Sequence, residues 1–225
     1  MTIIHPAPAS IFTERDFRAR ATAALHRHPS DAVFDPRTGR AWSRSDWDLN
    51  PELLADFEVM APPRAAAVLV PVIVRPELTV LLTERTAHLS THAGQIAFPG
   101  GKVEDSDIDA VETAVREAEE EIGLSRTLVE PLGFLDGYRT GTGFLVTPVV
   151  ALVKPDFVLA LDPGEVASTF EVPLAFLMDP ANHKHHSRPW RGRERHYYAM
   201  PFGDHYIWGA TAGMLKNLHE RLYGG

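Results

Sequence analysis

Apolar residues recur along the chain in two distinct rhythms. Beyond Thr13, a residue suited to start a helix, Phe17, Ala21, Ala24 and Leu25 fall at i, i+4, i+7 and i+8, which predicts a short amphipathic helix. The stretch that follows has no sustained periodicity. It holds Asp35-Pro-Arg-Thr-Gly39, Trp42 and Trp47, and it ends in Ala61-Pro-Pro-Arg64, which reads as an irregular extension closing in a linker. Residues 1–63 are therefore taken as an extension packed on the core, and residues 64–225 as the main domain.

Ala66–Arg75 and Leu78–Arg85 are apolar runs separated only by Pro76 and Glu77. That gap is too short for a crossover and predicts an antiparallel hairpin. Val129–Tyr138 and Phe144–Val153 flank the polar turn Arg139-Thr-Gly-Thr-Gly143, and Thr169–Val172 leads into a short helix at Pro173–Met178. The tail alternates over Arg195–Met200 and Tyr206–Trp208, then places Met214, Leu215, Leu218 and Leu222 on one helical face. Tyr206 and Trp208, just before that helix, are candidates to line an adenine or pantetheine pocket, although aromatics in that place more often belong to the core. His183, His185 and His186 sit among Lys184, Arg188 and Arg191 and read as a polar loop rather than a transition-metal site. Strands and helices intermingle without strict alternation, so the expected fold is α/β around a mixed sheet.

The segment from Gly100 to Leu124 carries the chemistry. Ser106 or Asp107 is placed to cap a helix over about 108–122, with Gly123 in the left-handed position after it. On that helix Val111, Val115, Ala118 and Ile122 form the expected core stripe. Glu117, Glu120 and Glu121 lie within about 100° of one another on the helical wheel, while Glu112 and Glu119 point away. Like charges at i, i+3 and i+4 repel, and a hard divalent cation relieves that repulsion. A solvated acidic face is the plainer meaning of a triple-Glu run taken alone. The preceding Gly100 and Gly101, which follow Phe98-Pro99, add a backbone that can approach an anion closely.

Composition narrows the partners. With 225 residues and 44% apolar content a sizeable core is available. The absence of cysteine removes thiolate chemistry and Cys-ligated zinc. A formal charge of −8 gives no general attraction for nucleic acid. The longest apolar run, Ala65–Val74, is too short to span a membrane and contains Pro71. The opening Met-Thr-Ile-Ile-His-Pro lacks the features of a secretory signal, so a cytoplasmic location is expected. The expected partner is a small phosphorylated molecule, with no nucleic acid and no membrane; a homodimer is compatible with these features.

Arg116-Glu117-Ala118-Glu119-Glu120-Glu121-Ile122-Gly123-Leu124 resembles the second half of the Nudix hydrolase box, Gly-x5-Glu-x7-Arg-Glu-U-x-Glu-Glu-x-Gly-U with U apolar. The first half departs from it: Gly101 stands one residue too far from Arg116, and Ile108 occupies the aligned Glu position. That spacing is typical of the coenzyme A pyrophosphatase-like branch. Leu81-Leu-Thr-Glu-Arg-Thr86, Gly94-Gln-Ile-Ala-Phe-Pro-Gly-Gly101 and Ile207-Trp-Gly-Ala-Thr-Ala-Gly213 resemble the same branch, although Ser90 stands where it usually carries Arg.

The resemblance implies an α/β/α sandwich with a catalytic loop-helix-loop, and hydrolysis of a phosphoanhydride bond using Mg²⁺ or Mn²⁺. The substrate it points to is coenzyme A or its thioesters; another nucleoside diphosphate derivative such as ADP-ribose is the alternative. A non-catalytic binding module of the same fold is a further alternative, but one with no need of all three helix carboxylates. The resemblance gives Glu117 and Glu121 as metal ligands, Glu120 as a third ligand or part of the base system, and Arg116 as the residue orienting a carboxylate. Glu165 stands where many members carry a loop carboxylate, and a helix-starting surface residue is the competing reading. Arg85, Gly100, Gly101 and Lys102 are the candidates for substrate phosphates.

Overall fold

Strand β2 (Arg64–Ile73) is buried on both faces, and this is why it reads as one continuous apolar run rather than an alternating one. Val70 and Val72 enter one hydrophobic cluster, while Ala67, Leu69 and Ile73 enter another on the opposite face. The structure, a computed structural model, describes residues 12–29, 44–52, 63–86, 94–190 and 192–224. Ser90, Arg191, Trp42, Asp35–Gly39 and Ala61-Pro62 lie outside the described residues.

Among the described residues the main sheet has nine strands. They are β1 (Arg44–Ser45), β2, β3 (Thr79–Arg85), β4 (Ile96–Ala97), β5 (Gly100–Lys102), β6 (Val129–Phe134), β7 (Tyr138–Arg139), β8 (Phe144–Val153) and β9 (Val166–Pro173). The order along its main path is β1-β7-β8-β2-β3-β4, with β5 on β2, β6 on β8 and β9 on β3. The sheet is mixed, since β2 runs parallel to β8 along its whole length and antiparallel to β3 and β5. The expected β2–β3 hairpin forms only at its closed end, Val72↔Val80 and Ile73↔Thr79. Beyond that the strands part and β5 takes β3's place beside β2 at residues 66–68.

Pro71 sits in the gap between these two pairings. Arg64 and Val74 donate their N–H groups towards the β8 side, as residues of even number in this strand do, whereas Leu69 donates to Pro99 on the other side. The missing N–H of Pro71 therefore faces the gap, where no ladder bond is lost.

Helix α2 (Ala110–Ile122) covers one face of the sheet. Helices α1 (Glu14–Ala24), α3 (Leu174–Leu177) and α4 (Ala210–Leu222) contribute to the cluster on the other, which completes the expected α/β/α sandwich. Thr13 caps α1 by accepting from the Asp16 N–H, as its position predicts.

Two expectations on α2 are corrected. The cap is Asp109, whose side chain accepts from the Glu112 N–H, and not Ser106 or Asp107. Of the expected stripe, Val115, Ala118 and Ile122 are buried and Val111 is only partly so, while Ala110 and Ala114 join Ala118 and Ile122 in the core cluster. Alanines bring the helix axis close to the sheet, and that rotation turns Glu121 into the buried flank.

A second sheet of three antiparallel strands comprises β10 (Lys184–Trp190), β11 (Arg193–Phe202) and β12 (His205–Trp208). The segment read as a polar loop is thus largely strand β10. Its residues are exposed on both faces up to Trp190, so no period-two burial marks it in the sequence. Asn50 closes part of the β11 edge by accepting from the His196 N–H at 2.7 Å and donating to its carbonyl at 2.9 Å.

The close approach of α2 to β2 predicts that Ala118→Leu overpacks the interface. A loss of about 1–3 kcal/mol is expected in urea unfolding, and an unchanged midpoint would refute the tight contact.

Candidate active site

The site is built where α2 passes β5. Gly100 has φ of +153° and no room for a side chain, since an added Cβ would lie 2.4 Å from the Ala67 carbonyl oxygen. An added Cβ on Gly101 would lie 2.4 Å from the Glu117 carboxylate. The glycine pair therefore admits an anion, as expected, but the anions that meet it are the chain's own. The Gly100 N–H donates to Glu121 Oε2 at 3.1 Å.

Glu121 is nearly inaccessible at 3% exposure, and burial pushes its carboxyl up to about 7, opposed by the Gly100 hydrogen bond and by Arg85. Glu117 is also raised by burial, with the Arg116 guanidinium pulling the other way. Glu120 lies on the rim and is largely exposed. Glu112 and Glu119 point elsewhere and pair with Arg126, as the helical wheel predicts.

Arg116 gathers the site. Its Nη1 donates to Glu117 Oε1 and Glu120 Oε2, both at 3.0 Å, and its Nη2 donates to the Lys102 carbonyl at 3.2 Å. The other edge of the guanidinium grips Asp107 in a bidentate pair, Nε to Oδ1 at 2.9 Å and Nη2 to Oδ2 at 3.0 Å. Asp107 also accepts from the Glu104 N–H and the Thr113 hydroxyl. The Arg116 hydrogen bonds hold its carboxyl at about 2, despite burial.

Ile108, aligned with the missing box Glu, is 84% exposed and takes no part. Asp107, one residue earlier, stands at the x5 spacing from Gly101 and pairs with Arg116 instead. Counting forward from the glycine rather than back from the arginine would have found it.

Arg85 closes the other side, with Nη1 3.5 Å from Glu121 Oε1 and Nη2 3.7 Å from Glu165 Oε2. The β3–β9 register shifts at Glu84/Arg85, a bulge of the kind that re-aims a side chain. Glu165 is not a helix start: it ends the turn after Asp162, leads into β9, and its half-exposed side chain faces Arg85. Lys102 belongs to β5 and is exposed.

Glu117 and Glu121 offer hard oxygen donors in a poorly solvated place where burial disfavours their charge. A divalent cation with oxygen preference fits that donor set. Among the described residues no group of three acidic or imidazole side chains encloses an ion by itself. Two carboxylates would fill only part of the shell of such an ion, leaving its remaining positions to water and substrate phosphate.

A family model described as the NUDIX domain matches residues 63–191. The uncharacterized Nudix hydrolase NudL of Photorhabdus laumondii is 39% identical over 175 residues, covering 74% of this chain and 94% of its own. NudL of Escherichia coli K12 is 37% identical over 175 residues, with 74% and 91% covered. Among solved structures, a C. elegans Ap4A hydrolase binary complex superposes with a TM-score of 0.41 at 21% identity, covering 49% of this chain and 80% of that one. That overlap is too partial to bear on function.

The depressed Asp107 carboxyl contributes stability that is fully present above about pH 4 and is lost as the pH falls towards about 2. Asp107→Asn is expected to lower the unfolding free energy at pH 7 by about 2 kcal/mol. In urea titrations its deficit against the unsubstituted chain should narrow between pH 4 and pH 2. A deficit independent of pH would show that the ion pair is not its source.

Proposed function

Because the chain belongs to the Nudix hydrolase family of pyrophosphohydrolases, which act on nucleoside diphosphate derivatives and generally need divalent metal ions, we propose that its substrate is coenzyme A or acyl-coenzyme A. Water adds across the diphosphate, one phosphorus gaining the oxygen and the bridging oxygen leaving with the other. The products are phosphopantetheine, or its acyl form, and adenosine 3′,5′-bisphosphate. The observation that carries a catalytic reading is the buried Glu121, held between the Gly100 N–H and Arg85. The coenzyme A assignment is supported by the likeness of Leu81–Thr86, Gly94–Gly101 and Ile207–Gly213 to that branch.

We assign Mg²⁺ or Mn²⁺ to Glu117 and Glu121, with Glu120 and Glu165 as outer carboxylates. When bound, the cation supplies polarisation of phosphoryl oxygens and a lowered pKa for water. The side chains do the positioning. Arg116 holds Glu117 and Glu120 in register with β5, and Asp107 fixes Arg116. In this reading Glu120, on the open rim, takes a proton from the attacking water, and the buried Glu121 would hold the metal. Arg85 and Lys102 neutralise charge gathering on the phosphoryl oxygens. Residues 64–225 form the catalytic unit in this reading, and residues 1–63 an extension to it.

Ser90, in place of the branch's usual Arg, favours a second reading, hydrolysis of another nucleoside diphosphate derivative such as ADP-ribose. A substrate panel of coenzyme A, acetyl-coenzyme A and ADP-ribose with Mg²⁺ or Mn²⁺ separates the two. The expected result is adenosine 3′,5′-bisphosphate from coenzyme A; activity on ADP-ribose alone would select the second reading. Glu121→Gln is expected to lower kcat by at least about 100-fold with an unchanged circular dichroism spectrum, and undiminished turnover would refute the assignment.

A further inference from the structure

One face of the second sheet carries an aromatic cluster that the core does not use. His186 on β10, Tyr197 on β11, and Tyr206 and Trp208 on β12 come together there. Tyr197 and Trp208 meet edge to face at 5.2 Å, and the His186 ring lies nearly parallel to Tyr206 at 6.0 Å. His186 Nδ1 and the Tyr206 hydroxyl are hydrogen-bonded at 2.7 Å, which fixes both rings. The Arg188 guanidinium lies 4.4 Å over the Trp208 ring.

Tyr206, Arg188 and His186 are exposed, Tyr206 at 40%, and Tyr197 and Trp208 are only partly buried. Tyr206 and Trp208 are therefore not the core aromatics their sequence position suggests. Rings held at fixed angles in water beside a guanidinium bring together π-faces for stacking and a cation for phosphate.

This face is also tied to the phosphoanhydride site. Three residues after Trp208, the Thr211 hydroxyl donates to the Ile96 carbonyl at 3.0 Å, and Ile96 stands four residues before Gly100. Strand β12 itself packs against β4, which leads through Phe98-Pro99 into the glycine pair, so the aromatic face and the phosphoanhydride site belong to adjoining strands.

We propose that this face is the subsite for the nucleotide half of the substrate, with the aromatic base stacked on the Tyr206–Trp208 side of the sheet and an adjoining phosphate on Arg188. The inference rests on the reading of the chain as a hydrolase of a nucleoside diphosphate derivative. It adds where the base lies and which residues select for it. His186 acts as a positioning residue, holding Tyr206.

The test uses the full chain with two variants of exposed residues, Arg188→Ala and Tyr206→Ala, and calorimetric binding of ADP and of inorganic pyrophosphate. Both variants are expected to weaken ADP about tenfold, the effect of losing one stacking or charge contact, and to leave pyrophosphate affinity unchanged. In turnover, KM for the nucleotide substrate rises by a similar factor while kcat stays within about twofold. Equal ADP affinity and KM in both variants overturns the subsite and leaves the hydrolase reading standing. A chain that hydrolyses no diphosphate, yet loses ADP binding in the variants, removes the hydrolase reading and keeps the base site. A changed sedimentation coefficient with unaltered ADP affinity would instead identify the face as a contact between copies, and would also overturn the proposal.

Discussion

The geometry of the site depends on one ion pair. Arg116 has two edges: Asp107 takes one in a two-point grip, and the other is left to hold Glu117 and Glu120. A single-point contact would let the guanidinium swing, and the carboxylates with it. The grip is strong because Asp107 is buried, so the pair is little screened, and because the Glu104 N–H and Thr113 hydroxyl satisfy the remaining acceptor capacity. Glu121 is fixed separately, by a backbone N–H and by Arg85 from the opposite side. Two independent anchors thus set two carboxylates against one another across a glycine pair that could not be any larger residue.

Much of this was legible in the sequence, for identifiable reasons. Helical periodicity separated Glu117, Glu120 and Glu121 from Glu112 and Glu119, because angular position on a helix follows from spacing alone. The α/β class followed from patterns strong enough to survive tertiary context. What escaped was set by distance along the chain or by pairing. Asp107 stands on the loop before the helix, where periodicity says nothing about direction, and the box carboxylate, counted back from Arg116, falls one residue later at Ile108. Helical spacing puts Val111, Val115, Ala118 and Ile122 in the core stripe, and all but Val111 are buried; what spacing does not show is that Ala110 and Ala114 meet the sheet beside them, where small side chains let α2 approach. Strand β10 was invisible because a ribbon exposed on both faces has no hydrophobic alternation.

The second sheet also shows how a free strand edge is managed. Asn50, from the segment before β2, completes hydrogen bonds at His196 that no strand among the described residues offers. Asp46 from the same segment accepts from the Tyr138 hydroxyl, the Gly141 N–H and Arg195. Strand β10 has Lys184, Arg188 and Pro189 along it, the residue types that discourage another strand from pairing there.

The parallel pairing of β2 with β8 has a consequence for how the chain comes to be folded. Its ten register pairs join residues 64–73 to residues 144–153, so the central rung of the sheet links segments that emerge from synthesis far apart. The acidic helix and the glycine pair are made between those two strands. Until β8 is complete, β2 lacks its long partner and the sheet on which α2 packs is unfinished. Assembly must wait on a long loop closure, a topology that folds slowly. During that interval the two most apolar strands, each without its long partner, are the segments at risk of pairing with another chain.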